Sequence, residues 1–454
     1  MIQILIALAV IVAVAYLILK GFKAEPVLLA AGLILIFITM IMGWGEILPK
    51  KATSTGITLF DPFEVIKYFF SIRAADLGMM IMALIGFAKY MDHIGANKAV
   101  VRVATKPLRS LKNPYILLFF SYLLASFLQL AIPSASGLAV LLMGTMFPIM
   151  VGLGLSPASA AGVIATSLGI AYTPNAVDAI RGAEVAGMET IDYVLYYQGL
   201  AAIATVLVVG VMHIFWQRHC DKKAGFIVKT PELEETEETG LKVPQFYAIL
   251  PMLPIVMAIV FSNIFFSGIK LNIITIVMIS MFICMMLELG RTRKYKEVCD
   301  GFSVFLKGMG AAFSGVVGLL VAAGVFAQGI TSIGAINELI ILAEHVGLPA
   351  FAMAIVFALV TIAAAIIMGS GNAPFLAFVE LIPSIAASMG VSATSMILPM
   401  QQASHMGRAM SPVSAVVIAV SSSAKLSPFD VVKRTSVPLL CGLVVHTLII
   451  GIFY

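Results

Sequence analysis

The sequence predicts an all-α polytopic membrane protein, and three observations carry that expectation. Of its 454 residues, 61% are hydrophobic and 11% charged, where soluble proteins carry roughly 25% charged residues. Many apolar runs reach about 17–22 residues, the length of helix that spans a bilayer. The two halves of the chain also resemble each other at a nearly fixed offset. The formal net charge of +5 need not imply nucleic acid, because Lys and Arg in such chains chiefly record topology. The expected partner surface is the lipid bilayer.

Spans are expected near 1–19, 26–43, 73–92, 156–180 and 188–216, then near 244–263, 271–288, 309–330, 392–421 and 432–453. The first has no positive residue before it and no small-residue cleavage site after it, so it reads as a retained span. A polar linker at 217–243 carries "PELEETEETG" flanked by Lys222, Lys223, Lys229 and Lys242. It reads as a solvated connection between halves, with a regulatory contact as the alternative. The cysteines Cys220, Cys284, Cys299 and Cys441 show no CxxC spacing, which indicates neither a metal site nor a disulfide framework.

Two longer apolar stretches, 114–151 and 349–389, are each interrupted by turn chemistry: "IPSASGLA" at 132–139 and "MGSGNAPF" at 368–375. In hydrocarbon, irregular backbone survives only where protein or a water-filled cavity surrounds it. Each stretch is therefore expected to be a re-entrant hairpin with its turn near the midplane. "GFAKYMDHIGAN" at 86–97 matches "VFAQGITSIGAI" at 325–336, 239 residues on; Ser134 and Ser370, Ser136 and Asn372, Gly154 and Gly390, and Ser156 and Ser392 are each separated by 236. Each half then holds five spans plus a hairpin, and the odd number inverts one half relative to the other.

The predicted organisation is two inverted repeats. The first is 1–216, with scaffold spans in 1–112 and hairpin and transport spans in 114–216. The cytoplasmic linker is 217–243. The second repeat is 244–454, with scaffold spans in 244–348 and hairpin and transport spans in 349–454. With both termini outside, 20 of the 28 Lys and Arg residues fall on the inner side, six fall outside, and Lys89 and Arg408 lie within spans. The segment 95–112 carries five basic residues and 331–348 only the acids Glu338 and Glu344. Lys98, Arg102, Lys106 and Arg109 share one helical face, which predicts a helix lying on the inner membrane surface near anionic headgroups.

Internal repeats with broken helices are the mark of a transporter with its site where the breaks meet. The hairpin tips offer Ser134, Ser136, Gly137, Ser370, Gly371 and Asn372, just before helix N-termini suited to an anion; tight helix packing is the alternative use of such small residues. The interrupted spans offer Thr166, Ser167, Thr173 and Asn175 in the first half, and Gln402, Ser404, His405, Arg408 and Ser411 in the second. Arg408 is expected to fork onto a substrate carboxylate; the alternative is a salt bridge to Asp178, Glu184 or Glu380. His405 is expected either to gate transport by titration or to be a hydrogen-bonded structural residue. An enzyme is excluded: His93, His213, His219, His345, His405 and His446 are scattered, with no HExxH and no GxSxG. No cofactor is expected, and the coupling ion is left open between a proton and sodium.

"DLGMMIMALIGFAKYMDHIGAN", "VAAGVFAQGI", "GSGNAPFLAFVELIP", "GRAMSPVSAVVIAV" and "SPFDVVKRTSVP" resemble the anaerobic C4-dicarboxylate carrier family of the DcuC type over essentially the whole chain. The resemblance implies a bacterial inner-membrane carrier of succinate, fumarate, malate or similar diacids, typically exporting succinate during fermentation; the Lys and Arg count then puts both termini in the periplasm. It also implies a homodimer joined through scaffold spans, with an elevator-like moving domain. The alternative substrate is another carboxylated metabolite, such as an amino acid or hydroxy acid.

Overall fold

The computed structural model describes residues 2–20, 22–111, 113–170, 172–226, 243–261, 271–335, 338 and 349–454. Among them, every regular element is helical. Most of the predicted linker, and Glu344, lie outside the described residues. Eight helical stretches are long and apolar enough to cross a membrane, and the other apolar helices are shorter.

The chain opens with α1 (Ile2–Leu19) and α2 (Ala24–Met42). A long bent helix follows: α3 (Asp61–Arg73), a π-turn at Ala74–Gly78, and α4 (Met79–His93). Then come α5 (Ala96–Thr105), the hairpin arms α6 (Pro114–Ala131) and α7 (Ala135–Gly152), and the broken pair α8 (Pro157–Ser167) and α9 (Val177–Val185). The short α10 (Thr190–Asp192) leads through a π-turn at Tyr193–Gln198 into α11 (Gly199–Lys223).

In the second half come α12 (Leu253–Val260), α13 (Ile273–Thr292), and another long bent helix: α14 (Tyr295–Ala312), a π-turn at Phe313–Val317, and α15 (Gly318–Ser332). The second hairpin is α16 (Ala350–Met368), α17 (Asn372–Phe378) and α18 (Ile382–Ser388). The last elements are α19 (Ala393–Ala409), α20 (Ala415–Ala424) and α21 (Pro428–Phe453).

Local chemistry sets these boundaries. Asn113 accepts from the N–H groups of Tyr115 and Ile116 and Pro114 opens α6; Ser134, Ser156, Ser392, Ser414 and Ser427 cap α7, α8, α19, α20 and α21. Each cap meets a helix-end donor that hydrocarbon would leave unsatisfied. The elements recur at the offset of the sequence repeat. α6 and α16 begin at residues 114 and 350, α8 and α19 at 157 and 393, and the π-turns at 74 and 313.

Four details depart from the sequence reading. The spans expected at 73–92 and 309–330 are the ends of longer helices that begin at Asp61 and Tyr295, because charges on their early turns lower hydropathy without breaking a helix. The second interruption is confined to residues 410–414, so Gln402, Ser404, His405 and Arg408 stand on intact helix; Pro412 disturbs only the residues beside it. The return arm of the second hairpin is segmented at Val379–Leu381 before Pro383 restarts it, which shortens the dipole expected at that tip. Finally, Arg73 and Arg181, counted as outer loop residues, are buried in protein at 8% and 2% exposure, as is Arg434 at 8% on the inner side. Removing all three from the count makes the inner bias steeper.

The two long bent helices meet at their π-turns, where the side chain of Val317 abuts Gly78. α4 packs on α14, α15 on α2 and α3, α11 on α21, and α16 on α19. Glycine permits these crossings: a Cβ on Gly86 would lie 2.8 Å from the Phe305 carbonyl oxygen, and one on Gly32 would lie 2.7 Å from the Phe326 backbone. Such close approach is how helices associate where water gives no drive. α5 is amphipathic, burying Ala96, Ala99, Val100 and Val101 while Lys98 is exposed; the helix ends at Thr105, and Lys106, also exposed, begins a 3-10 turn.

Candidate functional site

The site is built on one face of α19. Gln401, His405 and Arg408 follow at helical spacings of four and three, and this face turns toward Asp178 on α9, which is 1% exposed. Gln401 Nε2 donates to Asp178 Oδ2 at 2.5 Å, and Tyr193 Oη donates to Gln401 Oε1 at 2.7 Å. His405 Nε2 lies 3.0 Å from the same Oδ2, at ion-pair distance but poorly aligned for a hydrogen bond. His405 Nδ1 is 3.3 Å from Arg408 Nη2. A guanidinium offers only donors, so Nδ1 is the acceptor of that contact.

The first break supplies backbone. Where α8 ends, its last carbonyls lose their helical partners. Ser167 O accepts from Gln129 Nε2, Leu168 O from Arg408 Nη2 at 2.5 Å, and Gly169 O from Gln402 Nε2 at 3.3 Å. Three successive carbonyls are thus met by side chains of α6 and α19, and the break needs no ligand to be stable. The rest of the Arg408 fork is uncommitted. Its Nε is buried without a hydrogen-bond partner, and its Nη1 lies where a Cβ on Gly371 would approach to 3.3 Å. Among the described residues no carboxylate is at ion-pair distance from Arg408.

Glu184 and Glu380, the other partners weighed for it, are held elsewhere. Arg73 bonds Glu184 at 3.0 Å and Glu380 at 2.9 Å, and Arg181 pairs with both acids. This four-member cluster joins α3, α9 and the second hairpin. Arg434 pairs with Asp221 at 2.7 Å, and Ser156 and Ser159 also donate to that acid, tying α8, α11 and α21 together.

Beside Arg408 opens a cavity of about 310 Å³. Of the expected residues, Ser134, Ser136, Thr173, Asn175, Asn372, His405 and Arg408 line it. The structure therefore brings both hairpin tips and both interrupted spans to one space. The others shape its walls. The Gly137 N–H donates to Ser134 Oγ, Ser370 Oγ accepts from the Ala373 N–H, and Ser404 Oγ donates to the Gly371 carbonyl. Thr166 and Ser167 are buried in the last turn of α8, Gln402 is buried within α19, and Ser411 is buried in the second break. Lys89 and Asp92 of α4, Gln129 and Asp178 also line the cavity and were absent from the expected site. Lys89 carried the same signal as Arg408, a charge inside an apolar span.

Membrane-spanning helices around a cavity with charged and polar groups in its wall, closed by interrupted helices and hairpin turns, define a multi-pass membrane transporter. The profile of the C4-dicarboxylate anaerobic carrier family matches residues 2–454, and the chain belongs to that family. It is 45% identical over 444 residues to the anaerobic C4-dicarboxylate transporter DcuC of Escherichia coli K12, covering 98% of this chain and 95% of that one. To the probable anaerobic C4-dicarboxylate transporter DcuC of Vibrio cholerae it is 46% identical over 453 residues, covering 99% and 97%. These relatives are transporters, not enzymes. Among solved structures, the YdaH transporter of Alcanivorax borkumensis superposes with a TM-score of 0.65 at 15% identity, over 94% of this chain and 98% of that one. MtrF of Neisseria gonorrhoeae, one of a class of antimetabolite efflux pumps, superposes with a TM-score of 0.56 at 12% identity over 95% of each chain. At these identities the two structures speak for the fold alone.

Proposed function

We propose that this protein is a secondary active transporter of C4-dicarboxylates such as succinate, fumarate and malate, working by alternating access in a bacterial inner membrane. The observation that carries this reading is the uncommitted fork of Arg408 at the wall of the cavity, in a chain of the C4-dicarboxylate carrier family. A charge at the membrane centre costs about 2.5–3.5 kcal/mol on insertion scales, and a bidentate carboxylate is the ligand its geometry fits. Hydroxyl and amide groups of Ser134, Ser136, Thr173, Asn175 and Asn372 complete the lining.

In this reading the two halves are inverted repeats, and hairpins and interrupted spans move as an elevator against scaffold spans that join two copies into a dimer. The recurrence of hairpins, breaks and π-turns supports it. Both termini face the periplasm, the linker faces the cytoplasm, and the direction is succinate efflux or exchange. The coupling ion is a proton or sodium; the Asp178–His405 pair beside the cavity is the group a proton would use.

Proteoliposomes loaded with succinate test the function. Arg408→Lys keeps the charge and loses the fork, so diacid exchange is expected to fall at least tenfold with the protein still folded. Near-normal succinate exchange in that variant would overturn the assignment. Repeating the flux with and without a sodium gradient, at two pH values, identifies the ion. An amino-acid and hydroxy-acid panel checks the substrate class.

A further inference from the structure

Arg408 accounts for one carboxylate, and a dicarboxylate carries two. The charged groups facing the cavity are Lys89 and Asp92 on α4, Asp178 on α9, and His405 and Arg408 on α19. Asp178 is engaged by Gln401 and His405. Asp92 accepts from Asn97 Nδ2 at the start of α5. Lys89 differs: its side chain is exposed into the open space, and among the described residues no carboxylate lies within ion-pair distance of it. Among the described residues the cavity therefore presents two cations with no carboxylate at ion-pair distance, on different helices.

The packing around Lys89 gives it room and fixes where it starts. At the crossing of α4 and α14, Gly308 lies so close that an added Cβ would be 2.9 Å from Gly86 Cα and 3.1 Å from the Cβ and Cγ of Lys89. The stem is held against a bare stretch of helix, and the ammonium is free beyond it. The repeat supplies an internal control. The residue 239 positions after Lys89 is Gln328, whose amide donates to Ile47 O and Ser332 Oγ, both at 3.2 Å. The residue 239 positions before Gly308 is Phe69, whose ring fills the matching crossing against Gly324. The fold thus accepts a neutral, internally bonded residue at this point of the long helix. The cation is not demanded by packing.

We propose that Lys89 binds the second carboxylate of the substrate and so selects dianions over monoanions, resting on the reading in which Arg408 binds the first. An ammonium suits this task because its three donors and long stem tolerate diacids that differ in length and geometry, where a second guanidinium would fix one. Lys89 stands on an expected scaffold span and Arg408 on an expected transport span, so the pair closes on a substrate only while the site faces this way.

The experiment compares succinate with succinamate, in which a neutral amide replaces one carboxylate, as ligands of the purified full-length protein in detergent. The wild-type protein is expected to bind succinate at least tenfold more tightly than succinamate. Lys89→Gln should lose about tenfold in succinate affinity while keeping its succinamate affinity, so that the two ligands become nearly equal. Lys89→Arg, which retains the charge, should keep most of the discrimination and stands in if the glutamine variant does not fold. Arg408→Lys should weaken both ligands. Undiminished discrimination in Lys89→Gln, with both ligands still weakened by Arg408→Lys, would overturn the role of Lys89 and leave the Arg408 site standing. Unweakened binding of both ligands in Arg408→Lys would overturn the site itself.

Discussion

The two long bent helices of this protein share a backbone and differ in chemistry. Residues 61–93 and 295–332 are each interrupted by a five-residue π-turn, and the turns begin 239 residues apart, at Ala74 and Phe313. The first helix carries Arg73 at the edge of its turn and Lys89 about one turn from its end. The matching residues of the second are Ala312, buried at 2%, and Gln328. Arg73 joins the cluster with Arg181, Glu184 and Glu380, and Lys89 faces the cavity. What is duplicated is the packing problem, which both copies solve by bending and close crossings. What is not duplicated is the charge at these two points: Arg73 is met by acids and Lys89 faces the cavity, where the second helix has Ala312 and Gln328.

The largest test of this contrast is Glu380→Gln. It removes the acid that pairs with both Arg73 and Arg181 and leaves two buried guanidinium groups sharing Glu184 alone. Breaking a buried pair costs about 3–5 kcal/mol, so the thermal midpoint in detergent should drop by many degrees. A midpoint within a degree of wild type would mean that the cluster does not hold α3 to the second hairpin. Both copies should respond to a methyl group at their crossings. Gly308→Ala places a Cβ 2.9 Å from Gly86 Cα, and Gly324→Ala places one 2.6 Å from the Phe69 ring. Each is expected to cost about 1–3 kcal/mol by overpacking, measured as the same thermal shift, with the larger loss at Gly308 because backbone yields less than a ring. The smallest effect belongs to Gln328→Leu. Loss of its two hydrogen bonds should cost about 1 kcal/mol and leave the succinate-to-succinamate ratio unchanged. A changed ratio there would erase the distinction between the copies.

Much of the site was legible because polar residues in hydrocarbon advertise themselves. Both hairpin turns and both interruptions were marked by Ser, Asn, Gly and Pro against an apolar background, and Ser134, Asn175, Asn372, His405 and Arg408 do meet in one cavity. The neighbours of Arg408 were not legible. Asp178, Glu184 and Glu380 were equivalent candidates in sequence; the structure gives the last two to Arg73 and Arg181 and turns Arg408 to the carbonyl of Leu168. Gln129 read as one more residue of a hairpin arm, yet it donates to the carbonyl of Ser167, 38 residues away.

The sequence by itself determined the membrane class, the helices and the repeat. Those depend on local quantities: the length of an apolar run, a capping serine before a proline, a turn where backbone groups lose their ladder. Only the tertiary structure decided which charges neutralise each other and which stay open. A side chain 2% exposed, such as Arg181, and one facing a cavity, such as Arg408, sit in similar mixtures of small and polar residues along the chain. In low dielectric a charge is fixed by its nearest partner in space, and the partners here lie up to 307 residues away, as Glu380 does from Arg73.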